Sequence, residues 1–91
     1  RMPVEVRVPT ILRPLTGGEK IVQAQGTTLE AVIKDLDASY PGIGERLVDD
    51  SGLRRFVNVY VNDEDVRFMD SLQTPVRDGD SVTILPAVAG G

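Results

Sequence analysis

The sequence predicts an α+β fold: a mixed sheet of four or five strands with one main helix on one face. Three observations carry the prediction. Apolar and polar residues alternate in short runs, most clearly in Val4-Glu5-Val6-Arg7-Val8, and 24 of the 91 residues are β-branched, which suits a pleated surface. Only Leu29 to Tyr40 combines helical spacing with the length of a main helix. Turn-forming residues separate the runs.

Taken in order, Pro9 ends the first strand. Thr10 to Gly18, with Pro14 and Gly17-Gly18, reads as a loop that Ile11, Leu12 and Leu15 hold against the body. Glu19 to Ala24 fits a second strand, so the first two strands form a hairpin with a long connection. In Gly26-Thr27-Thr28-Leu29-Glu30, Thr27 is placed to cap a helix, and Glu30, three residues on, can reach back to the Thr27 N–H. Leu29, Val32, Ile33, Leu36 and Tyr40 then form one apolar stripe, with Glu30, Lys34, Asp35 and Asp37 outside it. Pro41-Gly42 stops the helix, and Ile43 to Val48 adds a short helical turn before the polar Asp49-Asp50-Ser51-Gly52 loop. Phe56 to Asn62 is the third strand, with Val57, Val59 and Val61 on one face. Asn62-Asp63-Glu64-Asp65 turns the chain, and Val66-Arg67-Phe68 starts back as a short strand. After the Asp78-Gly79-Asp80 turn, Ser81 to Leu85 is the last strand. Two strands, one helix, then two or three strands is the β-grasp, or ubiquitin-like, order. Residues 2–85 are expected to form this domain and residues 86–91 an extended, flexible C-terminal tail ending in Gly-Gly.

Leu, Ile, Val and Phe supply 28 of 91 residues, enough for one small core and too many for a disordered chain. The absence of cysteine and histidine excludes zinc fingers, thiolate nucleophiles, disulfides, Ser-His-Asp triads and histidine switches. Ten basic and fourteen acidic residues give a net charge of −4, and the basic residues are scattered along the sequence. Nucleic-acid binding is therefore not expected. Apolar runs of three or four residues fit neither a membrane span nor a signal-peptide core, so a cytoplasmic chain without membrane partners is expected. Arg1, ahead of Met2, reads as an addition before the natural start.

Candidate chemistry is sparse. Asp63-Glu64-Asp65 and Asp78-Gly79-Asp80 lack the ligand ladder of a calcium loop and read as turn residues, so no metal site is expected. Thr16-Gly17-Gly18-Glu19-Lys20 is not a phosphate loop, because Ile21 follows Lys20 where a Ser or Thr is needed. One helix cannot cover both faces of the sheet. Phe56, Tyr60 and Leu85, out of phase with the core-facing valines, are thus expected on the open face, where they form a candidate partner-docking patch. The remaining feature is Pro86-Ala87-Val88-Ala89-Gly90-Gly91. Its side chains shrink toward Gly91, and six residues reach roughly 20 Å. A segment this slim can thread a partner's channel and present the Gly91 carboxylate to its active site. That carboxylate becomes an electrophile once it is converted to an acyl-adenylate.

These features resemble the ThiS/MoaD family of prokaryotic sulfur-carrier proteins, most closely its actinobacterial CysO type. Family-wide features are Val61-Asn62 before the Asp63-Glu64-Asp65 turn, Asp78-Gly79-Asp80-Ser81-Val82, and the ending Pro86 to Gly91. The CysO-like features are Pro9-Thr10-Ile11-Leu12-Arg13-Pro14 with Thr16-Gly17-Gly18, the stretch Thr28 to Leu36, and the stretch Arg55 to Arg67. The resemblance implies that an adenylating enzyme of the ubiquitin-activating type, using ATP and magnesium, activates Gly91. A sulfur donor then converts it to a thiocarboxylate, which delivers sulfide to an acceptor in a second, biosynthetic enzyme. For the CysO type it implies a pyridoxal-phosphate-dependent cysteine synthase and a metalloprotease that releases cysteine from the carrier. Relatives serve thiamine thiazole or molybdopterin synthesis, and a thiosugar-synthase-like acceptor of secondary metabolism fits the same chemistry. These cofactors belong to the partners, and the chain itself is expected to bind none and to be a carrier without catalytic residues of its own. A ubiquitin-like modifier and a plain interaction domain are the competing readings; the latter would not need Gly90 and Gly91.

Overall fold

The computed structural model describes residues 2–87. Its main sheet contains β1 (Val4–Arg7), β2 (Ile21–Ala24), β5 (Val57–Val61), β6 (Glu64–Asp65) and β7 (Ser81–Pro86), in the order β2-β1-β7-β5-β6. β1 and β7 run parallel at its centre, and the other neighbours are antiparallel. The helix α1 (Leu29–Ser39) lies across one face, and a shorter α2 (Ile43–Leu47) leads into a small hairpin of β3 (Val48–Asp49) and β4 (Gly52–Leu53). The expected mixed sheet with one main helix is what forms.

The register explains why the alternating valines were so informative. Val22, Val6, Val82 and Val61 are successive partners across four strands, and all four are buried. Val4 pairs with Ala24 on one side of this row and Val59 with Ile84 on the other, and these four side chains are buried too. Leu29, Val32, Ile33 and Leu36 of α1 close the core from above. Each such side chain removed from water contributes about 1.5–3 kcal/mol.

Several local expectations are corrected. The helix is capped by Thr28, whose hydroxyl accepts from the Ala31 N–H at 3.2 Å, and Thr27 is not the cap. Tertiary pairing decides this: the Thr27 carbonyl accepts from Val76 N, Leu29 N donates to Thr74 O, and Thr28 bridges to Pro75. The chain is thus held extended one residue further than the local sequence suggests. The return strand at Val66-Arg67-Phe68 is instead a 3-10 turn, because the Asp65 carboxylate accepts from Arg67 N at 2.9 Å and bends the chain after two residues of β6. Thr10–Thr16, expected as loop, is also 3-10 helical. Within it Leu12 is buried and Leu15 packs against the core, as expected, whereas Ile11 is largely exposed. Asn62 and Asp63 form the two-residue β5–β6 turn with φ of 49° and 72°, the left-handed pair that a type I′ hairpin requires.

Two polar side chains tie elements together. Asp37 accepts from Gly42 N and Gly44 N at 3.1 and 2.9 Å, joining the end of α1 to the start of α2. Asp80 accepts from Arg77 N at 2.9 Å, and its pKa lies below the usual aspartate value. The hydrogen bond from the Asn62 side chain is the main cause, followed by the Arg77 backbone bond and the Arg77 charge.

Gly26 allows close approach of the chain to α1. A Cβ there would lie 2.7 Å from Val32 N and 2.9 Å from the Ala31 carbonyl carbon. Gly26→Ala is expected to lower stability by about 1–3 kcal/mol in denaturant titration, and an unchanged midpoint would contradict that packing. For Asp80 the folded pKa is depressed, so its stabilisation is complete above the ordinary aspartate pKa and fades as pH falls through the folded value. The stability gap between wild type and Asp80→Asn should therefore be widest at neutral pH and close in acid; a gap that widens on acidification would refute the assignment.

Candidate functional site

The candidate site is built on β7, whose C-terminal end leads to the Gly-Gly sequence. β7 is paired on both sides, with β1 through Glu5–Ser81, Val6–Val82 and Arg7–Thr83, and with β5 from Val61–Val82 to Val57–Pro86. The strand runs one residue beyond the expected Leu85. Its ladder with β5 continues past that, since Ala87 N donates to Phe56 O at 2.8 Å. Pro86 is tolerated in this strand for a geometric reason. The Phe56–Ala87 bond makes Val57–Pro86 a non-hydrogen-bonded pair, so the missing N–H of Pro86 would face β1, and β1 has already ended at Arg7. Pro86 is exposed and Ala87 half-buried. Of the expected tail, Val88, Ala89, Gly90 and Gly91 lie outside the described residues.

The face of the sheet away from α1 carries Tyr60 opposite Thr83, and Leu85 opposite Asn58. Phe56 is 61% exposed and Leu85 45%, while Tyr60 is half-buried. The three expected docking residues are brought together through Leu85, which lines one hollow with Phe56 and another with Tyr60 and Asp63. The hollow beside Phe56, about 130 Å³, lies where β1 has stopped, so residues of both sheet faces line it, Val57 and Ile84 from the core side and Phe56 and Leu85 from the open side.

Sequence reasoning missed three contributors to this region. Ile11 lines the same hollow as Phe56 and is 61% exposed. Ile21, at the edge of the sheet, is also exposed and lies beside Leu85. Arg67, from the turn mistaken for a strand, bonds Asn58 Oδ1 at 3.1 Å and Arg54 O at 2.8 Å, bracing the β5 end on which Ala87 rests. The acidic runs are engaged in turns: Asp65 and Asp80 each accept a backbone N–H from a residue two or three positions away.

Loss of the Ala87–Phe56 bond should be measurable. Ala87→Pro removes the donor and is expected to cost about 1 kcal/mol of stability in denaturant titration, while an unaffected midpoint would mean that the ladder effectively ends at Pro86.

Comparison with known proteins gives a consistent picture. The sequence model described as the ThiS family matches residues 6–91. The sulfur carrier protein CysO of Mycobacterium tuberculosis is 67% identical over 93 residues, covering 99% of this chain and all of the relative. In the crystal structure of the Amycolatopsis orientalis BexX/CysO complex, one chain superposes with a TM-score of 0.92 at 58% identity, covering 97% of this chain and 99% of that one. The small archaeal modifier protein 1 of Methanosarcina acetivorans superposes with a TM-score of 0.82 at 26% identity, covering 99% of this chain and 97% of that one. The fold is the ubiquitin-like β-grasp, as the order of elements in the sequence predicts.

Proposed function

Because the chain belongs to the ThiS family, we propose that it is a sulfur carrier that holds sulfur on the main-chain carboxyl of Gly91. The observation that carries this reading is a central strand whose pairing persists to Ala87, with Val88-Ala89-Gly90-Gly91 following it in sequence. The strand fixes the root of the segment, and the small residues beyond it admit the backbone to a narrow site. A chain with no cysteine has no thiol on which to carry a persulfide, so the carboxyl end is the position left for sulfur.

The chemistry falls to partners. A Gly91 carboxylate oxygen attacks the α-phosphorus of ATP in an adenylating enzyme of the ubiquitin-activating type, releasing pyrophosphate; magnesium serves that enzyme. A sulfide nucleophile then attacks the acyl carbon, AMP leaves, and a thiocarboxylate remains. Its sulfur is donated to an electrophilic acceptor in a second enzyme. Cysteine synthesis is the acceptor pathway proposed first, given the likeness to CysO, with a pyridoxal-phosphate enzyme as acceptor and a metalloprotease that frees the product. A BexX-like protein is a further proposed partner, since BexX forms a complex with a CysO protein 58% identical to this chain. Phe56, Tyr60 and Leu85 form the docking face; of the expected entering segment, Pro86 and Ala87 are its paired root, and Val88, Ala89 and Gly90 are the part proposed to enter the partner.

A second reading, a ubiquitin-like protein modifier, is favoured by the likeness to small archaeal modifier protein 1. It would use the same activated Gly91 but pass the acyl group to a lysine amine. The two readings part in their products: a thiocarboxylate on the free protein, or isopeptide conjugates of higher mass.

Deletion of Gly91, or Gly91→Trp, is expected to abolish sulfur loading while leaving the amide spectrum of the folded domain unchanged. Incubation with ATP, magnesium, the activating enzyme and sulfide, followed by intact-protein mass spectrometry, should show one oxygen-for-sulfur exchange in wild type and none in either variant. Normal loading of the variants would overturn the assignment.

A further inference from the structure

Four basic residues that are scattered in sequence, Arg7, Arg13, Lys20 and Arg46, are gathered by the fold around the end of β7. Arg7, Arg13 and Lys20 line one hollow together with Thr83, Ile84 and Leu85. Arg46 of α2 lines the adjoining hollow with Phe56, Leu85 and Pro86. The two hollows share Pro9, Ile84 and Leu85, and among the described residues no carboxylate lines either. Arg54 and Arg55 directly precede Phe56, and Arg67 is bonded to the same stretch of backbone. This concentration occurs in a protein with fourteen acidic residues and a net charge of −4. Three other hollows, beside Tyr60, at the start of α1 and between α1 and α2, each include acidic side chains.

The charges at this end are accessible. Arg7 pairs with Glu5 at 3.2 Å, but both side chains are well exposed, so the pair is screened and easily exchanged. Arg13 donates to the Val8 carbonyl, a neutral acceptor, and Lys20 and Arg46 are exposed. The apolar middle, formed by Ile11, Ile21, Phe56 and Leu85, is exposed as well.

We infer that this cationic collar docks on a protein whose active-site entrance is apolar at its centre and rimmed by Asp and Glu. The inference rests on the sulfur-carrier reading, and geometry and charge complementarity specify it. The collar flanks the last paired residues of β7, so any site that receives the segment beyond Ala87 must approach these side chains. A cationic ring in an otherwise acidic protein favours partners with an acidic rim and disfavours those with a basic one, because opposed like charges are costly. The overall negative charge also repels a nucleic-acid polyanion at longer range. The collar therefore steers encounter and orientation, while Phe56 and Leu85 supply the contact area.

The test uses the full chain and purified Amycolatopsis orientalis BexX as the probe, with affinity measured by titration calorimetry at low and high salt. Lys20→Glu combined with Arg46→Glu is expected to weaken binding at least about tenfold at low salt and to flatten its salt dependence. Lys20→Gln with Arg46→Gln should fall between that variant and wild type, and Lys34→Glu, on α1, should bind like wild type. Unchanged affinity in the double-Glu variant, or an equal loss in Lys34→Glu, overturns the proposal. Single-stranded DNA binding at the collar as tightly as BexX would overturn it too. Failure of the underlying reading is distinguishable, because wild type would then gain no sulfur in the loading assay; loading with a charge-insensitive interface defeats only the collar.

Discussion

Everything in this molecule hangs on the burial of one row of valines across the middle of the sheet. Val22, Val6, Val82 and Val61 succeed one another in register, and the α1 stripe seals them from water. Because a one-residue slip would turn every buried side chain outward, this row fixes the alignment of β7 against β1 and β5 at once. Fixing β7 fixes where Pro86 and Ala87 emerge. The hydrophobic core and the residues Pro86 and Ala87 are therefore consecutive parts of one paired stretch of chain, and the stability of the first positions the second.

That arrangement suits a chain with no histidine or cysteine. Under the proposed function such a domain contributes what a partner cannot easily make for itself: a rigid base ending at Ala87 and a surface by which the carrier is identified. The open sheet face offers Phe56 and Leu85, the end of the sheet adds Ile11, and basic side chains surround them. In the proposed scheme recognition falls to residues of the folded domain, and reaction to the carboxyl of Gly91.

The fold was legible because its signals are periodic. Strict alternation at Val4 to Val8 and Val57 to Val61, and the single stripe Leu29 to Leu36, state which faces are buried without knowledge of the partners. Features set by contacts distant in sequence were not legible. The helix cap moved from Thr27 to Thr28 because the 74–76 segment holds Thr27 extended, and Val66–Phe68 became a turn because Asp65 captures the Arg67 amide. The basic collar draws on β1, the Thr10–Thr16 turn, Lys20 just before β2, and α2, separated by up to 39 positions between Arg7 and Arg46. Its grouping exists only in three dimensions. Phe56, Tyr60 and Leu85 were visible beforehand because their phase opposes that of the valines, whereas Ile11 sits in a 3-10 turn whose exposure no simple period reveals.

The central claim is that sulfur resides on the carboxyl of Gly91 in the working protein. It is tested most directly by isolating the chain from its native cells under non-reducing conditions and fragmenting its C-terminal peptide in a mass spectrometer. The account predicts a population in which one oxygen of the terminal Gly91 carboxyl is replaced by sulfur, with Val88, Ala89 and Gly90 unmodified. A Gly91 found only as a plain carboxylate or in isopeptide linkage to lysine, in cells actively making sulfur-containing metabolites, would contradict it.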